Sequence, residues 1–140
     1  LKDSYFYNNE VYCDRVLHIG SHYLPHISTI KNVVFYNNLF HIADDPLYIG
    51  SAVNIKALLF IVTMSLDPNI AGGLMLGGNY WSKSDGTGFS QTCKDSNSDG
   101  FCDEAYAGAP GIHDHFPLVD KSKRNSGAGV GCNRDLKLQM

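Results

Sequence analysis

Charge is scarce in this chain. Asp, Glu, Lys and Arg supply only 18% of its 140 residues and leave a net charge of −3. That slightly acidic balance gives no electrostatic case for nucleic acid as a partner. No apolar run reaches the roughly 18 residues that span a bilayer, so no membrane-crossing segment is expected. The longest, Ala57 to Met64, suits a buried strand. A P-loop, a dinucleotide fingerprint and a Ser-His-Asp order are also missing. There is no signal peptide, but the chain starts at Leu1 rather than Met and reads as a processed or truncated product. The absent signal therefore says little about location. The length suits one domain with a buried core. Gly, Asn, Ser, Tyr and Phe are plentiful, a mixture that favours strands and turns over helices.

What is present first is repetition. Leu17-His-Ile-Gly-Ser21 recurs as Leu47-Tyr-Ile-Gly-Ser51 and as Leu74-Met-Leu-Gly-Gly78, at intervals of 30 and 27 residues. A second element, Tyr5-Phe-Tyr-Asn-Asn9, recurs as Val34-Phe-Tyr-Asn-Asn38 and more loosely as Leu59-Phe-Ile-Val-Thr63. Short alternating strands separated by Gly, Ser, Asn or Pro turns, at a period in the twenties, are the mark of a solenoid. We expect a parallel β-helix of about three coils over 1–82, rather than a β-sandwich. Stacking at about 4.8 Å would align Leu17, Ile19, Leu47, Ile49, Leu74 and Leu76 in inward columns. The paired asparagines fall at turns after strands, where Asn tolerates left-handed backbone and can bond the Asn one coil away. His22 to Ser28, with Pro25, reads as a bulging loop, since proline cannot donate to a central ladder.

The second signal is an acidic loop. Asp95-Ser-Asn97-Ser-Asp99-Gly100-Phe101-Cys102-Asp103 places oxygen side chains at every second position, with a glycine after the third. A hard cation with six to eight oxygen ligands asks for this spacing. Asp95, Asn97, Asp99 and Asp103 are the expected side-chain ligands, with Phe101 giving its carbonyl, and calcium is the expected ion. The alternative is an acidic surface turn without an ion. An EF-hand is disfavoured: its twelfth position would be Tyr106 rather than Glu, and no amphipathic helix flanks the loop. Cys93 and Cys102 bracket the loop as an expected disulfide, since neither pair of cysteines has the close spacing of a zinc knuckle. Cys13 and Cys132 are left to pair by elimination. Calcium and disulfides together favour an oxidising compartment outside the cytosol.

The order of motifs then becomes specific. Gly77-Gly-Asn-Tyr-Trp-Ser82, the Asp-rich loop, and Asp114-His-Phe-Pro-Leu118 together resemble the closing segment of NosD-like parallel β-helix proteins. The resemblance spans about residues 5 to 119. It implies a right-handed β-helix of the carbohydrate-binding and sugar-hydrolase type, secreted or at the cell surface. Lys83, the two loop cysteines and Ala105 depart from the family pattern. Tyr80, Trp81 and Phe116 are expected to fold over the last coil as a cap, because an open edge of unpaired backbone invites aggregation. For Trp81 the alternative is a sugar-stacking platform. The loop, 83–119, has few apolar groups, so the ion would order it.

Two function classes follow. The first is a structural or adhesive extracellular module that contacts glycans or stacks on neighbouring subunits. Three coils are short for a free solenoid, so the chain reads as a piece of a longer β-helix or as one that stacks on a partner. The second is a carbohydrate-active enzyme, a lyase or hydrolase, or its substrate-binding fragment. Its candidate carboxylates are Asp44 and Asp45, with Asp14 and Arg15 one coil earlier; Asp44 and Asp45 read more simply as a turn before Pro46. Metal binding by His18, His22 and His26, or by His113 and His115, lacks a supporting ligand pattern. The tail, 120–140, has three cations over Lys121 to Arg124 and a Gly-rich run, and reads as a flexible or wrapping segment.

Overall fold

The computed structural model describes residues 2–13, 17–19, 28–42, 47–49, 53–55, 58–59, 65–109 and 112–120. Its strands are β1 (Lys2–Tyr7), β2 (Glu10–Cys13), β3 (Leu17–Ile19), β4 (Ser28–Tyr36), β5 (Leu39–Ile42), β6 (Leu47–Ile49), β7 (Val53–Ile55), β8 (Leu58–Leu59) and β9 (Tyr80–Ser82). One helical turn, α1 (Phe89–Thr92), and two more strands, β10 (Tyr106–Ala109) and β11 (Ile112–Asp114), complete the order. The described chain is all-β in character: mostly strand, little helix, in small sheets that do not close.

Parallel pairing dominates, and it follows the sequence repeats. β1 lies on β4 with Phe6 beside Phe35, β2 on β5 with Val11 beside Phe40, and β3 on β6 with Leu17 beside Leu47. A further tier continues from there. β4 also carries β7 and β8, with Val34 beside Leu59, and β5 carries β9, with Phe40 beside Trp81. Like residues therefore sit over like residues. The rings of Phe6 and Phe35 stack at 4.7 Å, those of Tyr7 and Tyr36 at 5.1 Å, and those of Phe40 and Trp81 at 4.7 Å. Each such pair adds on the order of 0.5–1.5 kcal/mol beyond its buried area.

The backbone turns where the sequence supplies residues that tolerate left-handed conformation, inside β1 and β4 at Asp3 and Asn32 and just after those strands at Asn8 and Asn37. Asp3 and Asn32 have φ of 48° and 51°, and Asn8 and Asn37 have φ of 58° and 50°, so each corner recurs in phase on the next tier. At each corner the two side chains are bonded across the tiers: Asn32 Nδ2 donates to Asp3 Oδ1 at 2.8 Å, and Asn37 Nδ2 to Asn8 Oδ1 at 2.6 Å.

One expectation fails here. Leu74-Met-Leu76 is not a third copy of the Leu17 and Leu47 strands, and Leu74 and Leu76 join no inward column. Leu74 is 82% exposed, and Leu76 makes an antiparallel bridge to Ser65. The physical reason is a local turn. Asn69 Oδ1 accepts the N–H groups of Ala71 and Gly73, and its Nδ2 donates to the Met75 carbonyl, which fixes a turn that the Ile70 N–H ties to Asn37 Oδ1 at 2.8 Å. Within 83–119 the structure holds α1 and the antiparallel β10–β11 pair. Asp14, Arg15, His22, Pro25, His26, Asp44, Asp45, Cys132 and residues 121–140 lie outside the described residues.

Candidate functional site

The end of the stack is built from the two motifs that flank the acidic loop. Asn9, Asn38 and Asn79 form a ladder through the tiers: Asn9 Nδ2 donates to Asn38 Oδ1 and Asn38 Nδ2 to Asn79 Oδ1, both at 2.8 Å. The ladder ends on Asp114, whose Oδ2 accepts Asn79 Nδ2 at 3.1 Å and the Asn79 N–H at 2.7 Å. The same oxygen accepts Trp81 Nε1 at 2.9 Å, while Oδ1 accepts the Phe116 N–H at 3.2 Å. A carboxylate has only acceptors, so it terminates a chain of amides that each offer both. Asp114 is 1% exposed. Burial pushes its pKa up to about 6, against the opposing pull of the Trp81, Asn79 and Phe116 donors.

Backbone pairing draws the second motif across the first. Gly78 N–H donates to the Phe116 carbonyl at 2.9 Å, and Leu118 N–H donates to the Asn79 carbonyl at 2.9 Å. The two glycines permit this approach. A Cβ on Gly77 would overlap the Phe101 ring, and one on Gly78 would overlap the Asp114 carboxylate. Trp81 is 3% exposed, with Phe40 on one side and the Tyr106 ring at 4.4 Å. Its N–H donates to Ser90 Oγ at 2.8 Å, so α1 is tied to β9 as well. Tyr80 joins Leu39, Ala71, Phe101 and Leu118 in one buried cluster, with half-buried Phe116 packed against it. Of the three expected capping aromatics, all pack at this end. Trp81 has no open face for a sugar to stack on.

The acidic loop hangs from this cap. Cys93 and Cys102 form a disulfide with Cα atoms 5.6 Å apart. Asp95 Oδ1 accepts the Asp99 N–H at 3.0 Å and Oδ2 the Gly100 N–H at 3.1 Å. Asn97 Oδ1 accepts the Asp99 N–H at 3.1 Å, and Asp99 Oδ1 the Phe101 N–H at 2.9 Å. Ser98 and Gly100, with φ of 61° and 98°, supply the sharp turn. Asp103 faces Ser96 instead, whose hydroxyl donates at 2.6 Å. The Ser96 hydroxyl and N–H, with a smaller part from Lys94, hold the Asp103 carboxyl below the ordinary range. Phe101 is buried and bridges Leu118 as a wide antiparallel pair, with Cys102 N–H donating to Pro117 and Val119 N–H to Gly100. In such a pair the residue's own carbonyl is directed away from its partner, here to the loop side.

Among the described residues, no three His, Cys, Asp or Glu side chains stand close enough to share a metal ion. The loop nevertheless offers an all-oxygen donor set, and each carboxylate keeps lone pairs beyond those given to N–H groups. His113 and His115 are exposed, with ring centroids 6.1 Å apart. No helix among the described residues is long and apolar enough to cross a membrane.

Asp114 and Ser90 are the contributors that reading the sequence missed as such. Asp114 carries no role in the sequence reading beyond its motif. Its one local sign is its place in Asp114-His-Phe-Pro-Leu118. Comparison with protein-family models, with curated proteins and with solved structures finds no match for this chain.

Proposed function

We propose that the chain is a non-enzymatic module of a secreted or cell-surface protein: a short right-handed parallel β-helix whose last coil is sealed by a calcium-ordered cap. The observation that carries this reading is the asparagine ladder ending on Asp114. A ladder in one phase through three tiers needs coils stacked in register, and an acceptor-only end needs the stack to stop there. The cap is structural in this reading because its polar groups are spent internally: Trp81 on Asp114, Asn79 on Leu118, Gly78 on Phe116. The ladder and the two motifs that meet at it also support likeness to NosD-like proteins.

Asp95, Asn97 and Asp99 would hold the ion with the Phe101 carbonyl, and Asp103 would join by leaving Ser96. Calcium would then draw the loop's oxygens inward and tie it to the Phe101–Leu118 bridge, so that binding adds to folding stability. Such a module serves as an adhesive or scaffolding part and contacts glycans or neighbouring subunits through its outer face. The test is thermal unfolding without reductant, in calcium and in excess chelator. Saturating calcium at about 100 times its Kd adds about 2.7 kcal/mol. The reading expects a clear rise in Tm, and identical curves would remove the ion from it.

A second reading is a carbohydrate-active protein. An open depression of about 490 Å³ beside the stack favours it, lined by Tyr7, Asn8, Glu10, Tyr36, Asn37 and Asp67 among others. Cleavage of an oligosaccharide that Tyr7→Ala abolishes, and not binding alone, would favour this second reading.

A further inference from the structure

The cap carries a second feature, on the surface turned away from the ladder. His113 and His115 flank Asp114, and both are exposed where Asp114 is buried. We infer that their two imidazoles hold one divalent ion of the zinc and copper class, with water in its remaining positions. This site depends on neither the calcium loop nor the stacked coils.

Alternation along the chain builds the pair. In extended backbone successive side chains point to opposite faces, so a residue that sends its carboxylate inward sends both neighbours outward. The Asp114 carboxylate accepts the Asn79 N–H at 2.7 Å and Trp81 Nε1 at 2.9 Å, which fixes the inward face. The rings of His113 and His115 then stand together, with centroids 6.1 Å apart and planes inclined by 36°. That separation is within reach of two rings that each place a nitrogen about 2.0–2.1 Å from a shared ion. Opposite His113 in the β10–β11 ladder is Ala107, so the neighbour on the same face is only a methyl group.

The backbone beneath the pair is held before any ion arrives. His113 is paired with Ala107 in the ladder. Around His115, Asp114 Oδ1 accepts the Phe116 N–H at 3.2 Å, and the Phe116 carbonyl accepts the Gly78 N–H at 2.9 Å. Binding therefore orders two exposed side chains and little else, which keeps its entropy cost low. Once one imidazole has the ion, the second binds from the same frame rather than from solution.

The donor set selects the ion. Imidazole nitrogen suits zinc, copper and nickel, whereas calcium and magnesium take oxygen. Among the described residues no third His, Cys, Asp or Glu side chain joins the pair. The ion is thus a surface clip across 113–115, with positions left for exchangeable water.

The test is calorimetric titration of zinc into the full chain, without reductant and in excess calcium, which competes for oxygen sites. We expect a bound zinc that His113→Ala and His115→Ala each weaken about a hundredfold, the low end of the gain from joining two sites on one frame. Melting in metal-free buffer should be the same in both variants as in the parent, because neither ring is buried. Copper(II) in place of zinc should give an electron paramagnetic resonance spectrum with two coupled imidazole nitrogens, which the variants lose. Undiminished zinc binding in the double variant, a response to only one of the two substitutions, displacement by excess calcium, or no zinc binding at all would each overturn the inference.

Discussion

Trp81 Nε1 donates to Asp114 Oδ2 at 2.9 Å across 33 residues of chain, and this bond joins the last tier of the stack to the segment that covers it. The oxygen also holds Asn79 by backbone and side chain, so one buried acceptor anchors three donors. Asp114→Ala should strand all three. Each unsatisfied buried donor costs about 1–3 kcal/mol, so a loss of roughly 3 kcal/mol or more is expected in urea unfolding. Trp81→Phe keeps a ring between Phe40 and Tyr106 and removes one donor bond, and should cost about half as much or less.

The glycines give a graded comparison. Gly78→Ala drives a methyl into the Asp114 carboxylate, and Gly77→Ala drives one into the Phe101 ring. Overpacking of this kind costs about 1–3 kcal/mol, and here the crowded groups are themselves pinned. Gly86 has φ of +80° with nothing within 4 Å of its Cβ direction. Gly86→Ala should therefore cost only the left-handed strain, about 1 kcal/mol. Chemical denaturation of the three variants should rank Gly86→Ala as the mildest.

Acid dependence follows from Asp114. Its folded pKa of about 6 stands above the ordinary 3.8, because burial disfavours the charged carboxylate. A raised acid pKa contributes stability that is fully present below the unfolded value and is lost as pH rises through the folded one. Asp114 thus contributes a fall in stability between about pH 4 and 6, and Asp114→Asn should remove that slope. Asp103 has the opposite sign. Its lowered carboxyl contributes stability above its ordinary pKa that is lost as pH falls, and Ser96→Ala should remove it. Urea midpoints measured across this range in the two variants separate the contributions.

The Cys93–Cys102 disulfide closes a loop with a sequence separation of 9. Closing a loop that short is worth about 2–3 kcal/mol through the unfolded chain. Replacing both cysteines by serine should lower stability by that order and weaken calcium binding, because the donors are then no longer held together. Calorimetric titration of both forms checks the second point, with equal affinities contradicting it.

Much of the stack was legible because its signals are local and in phase. Asn8-Asn9 and Asn37-Asn38 each follow an aromatic pair, and the observed partners are these residues. Asn79 broke the count. It sits 41 residues from Asn38 rather than 29, since the 65–76 loop intervenes, and its neighbours read Gly-Gly before and Tyr-Trp after. Leu74-Met-Leu76 imitated the strand pattern, but its surroundings are set by Asn69 and not by a tier beneath. Asp114 carried no periodic sign at all, because its partners lie 33 and 35 residues away. The β10–β11 pair had a usable signal in Pro110-Gly111, a turn dipeptide between Tyr106-Ala-Gly-Ala109 and Ile112-His-Asp114.

The most direct measurement is a double-mutant cycle between Asn38→Ala and Asp114→Ala by urea unfolding of the full chain. The two side chains share no bond and are joined through Asn79. If the ladder is one structure ending on Asp114, the double variant loses less than the sum of the singles, by about 0.5–3 kcal/mol. Losses that add to within about 0.3–0.5 kcal/mol would make them independent sites and contradict a stack sealed at Asp114.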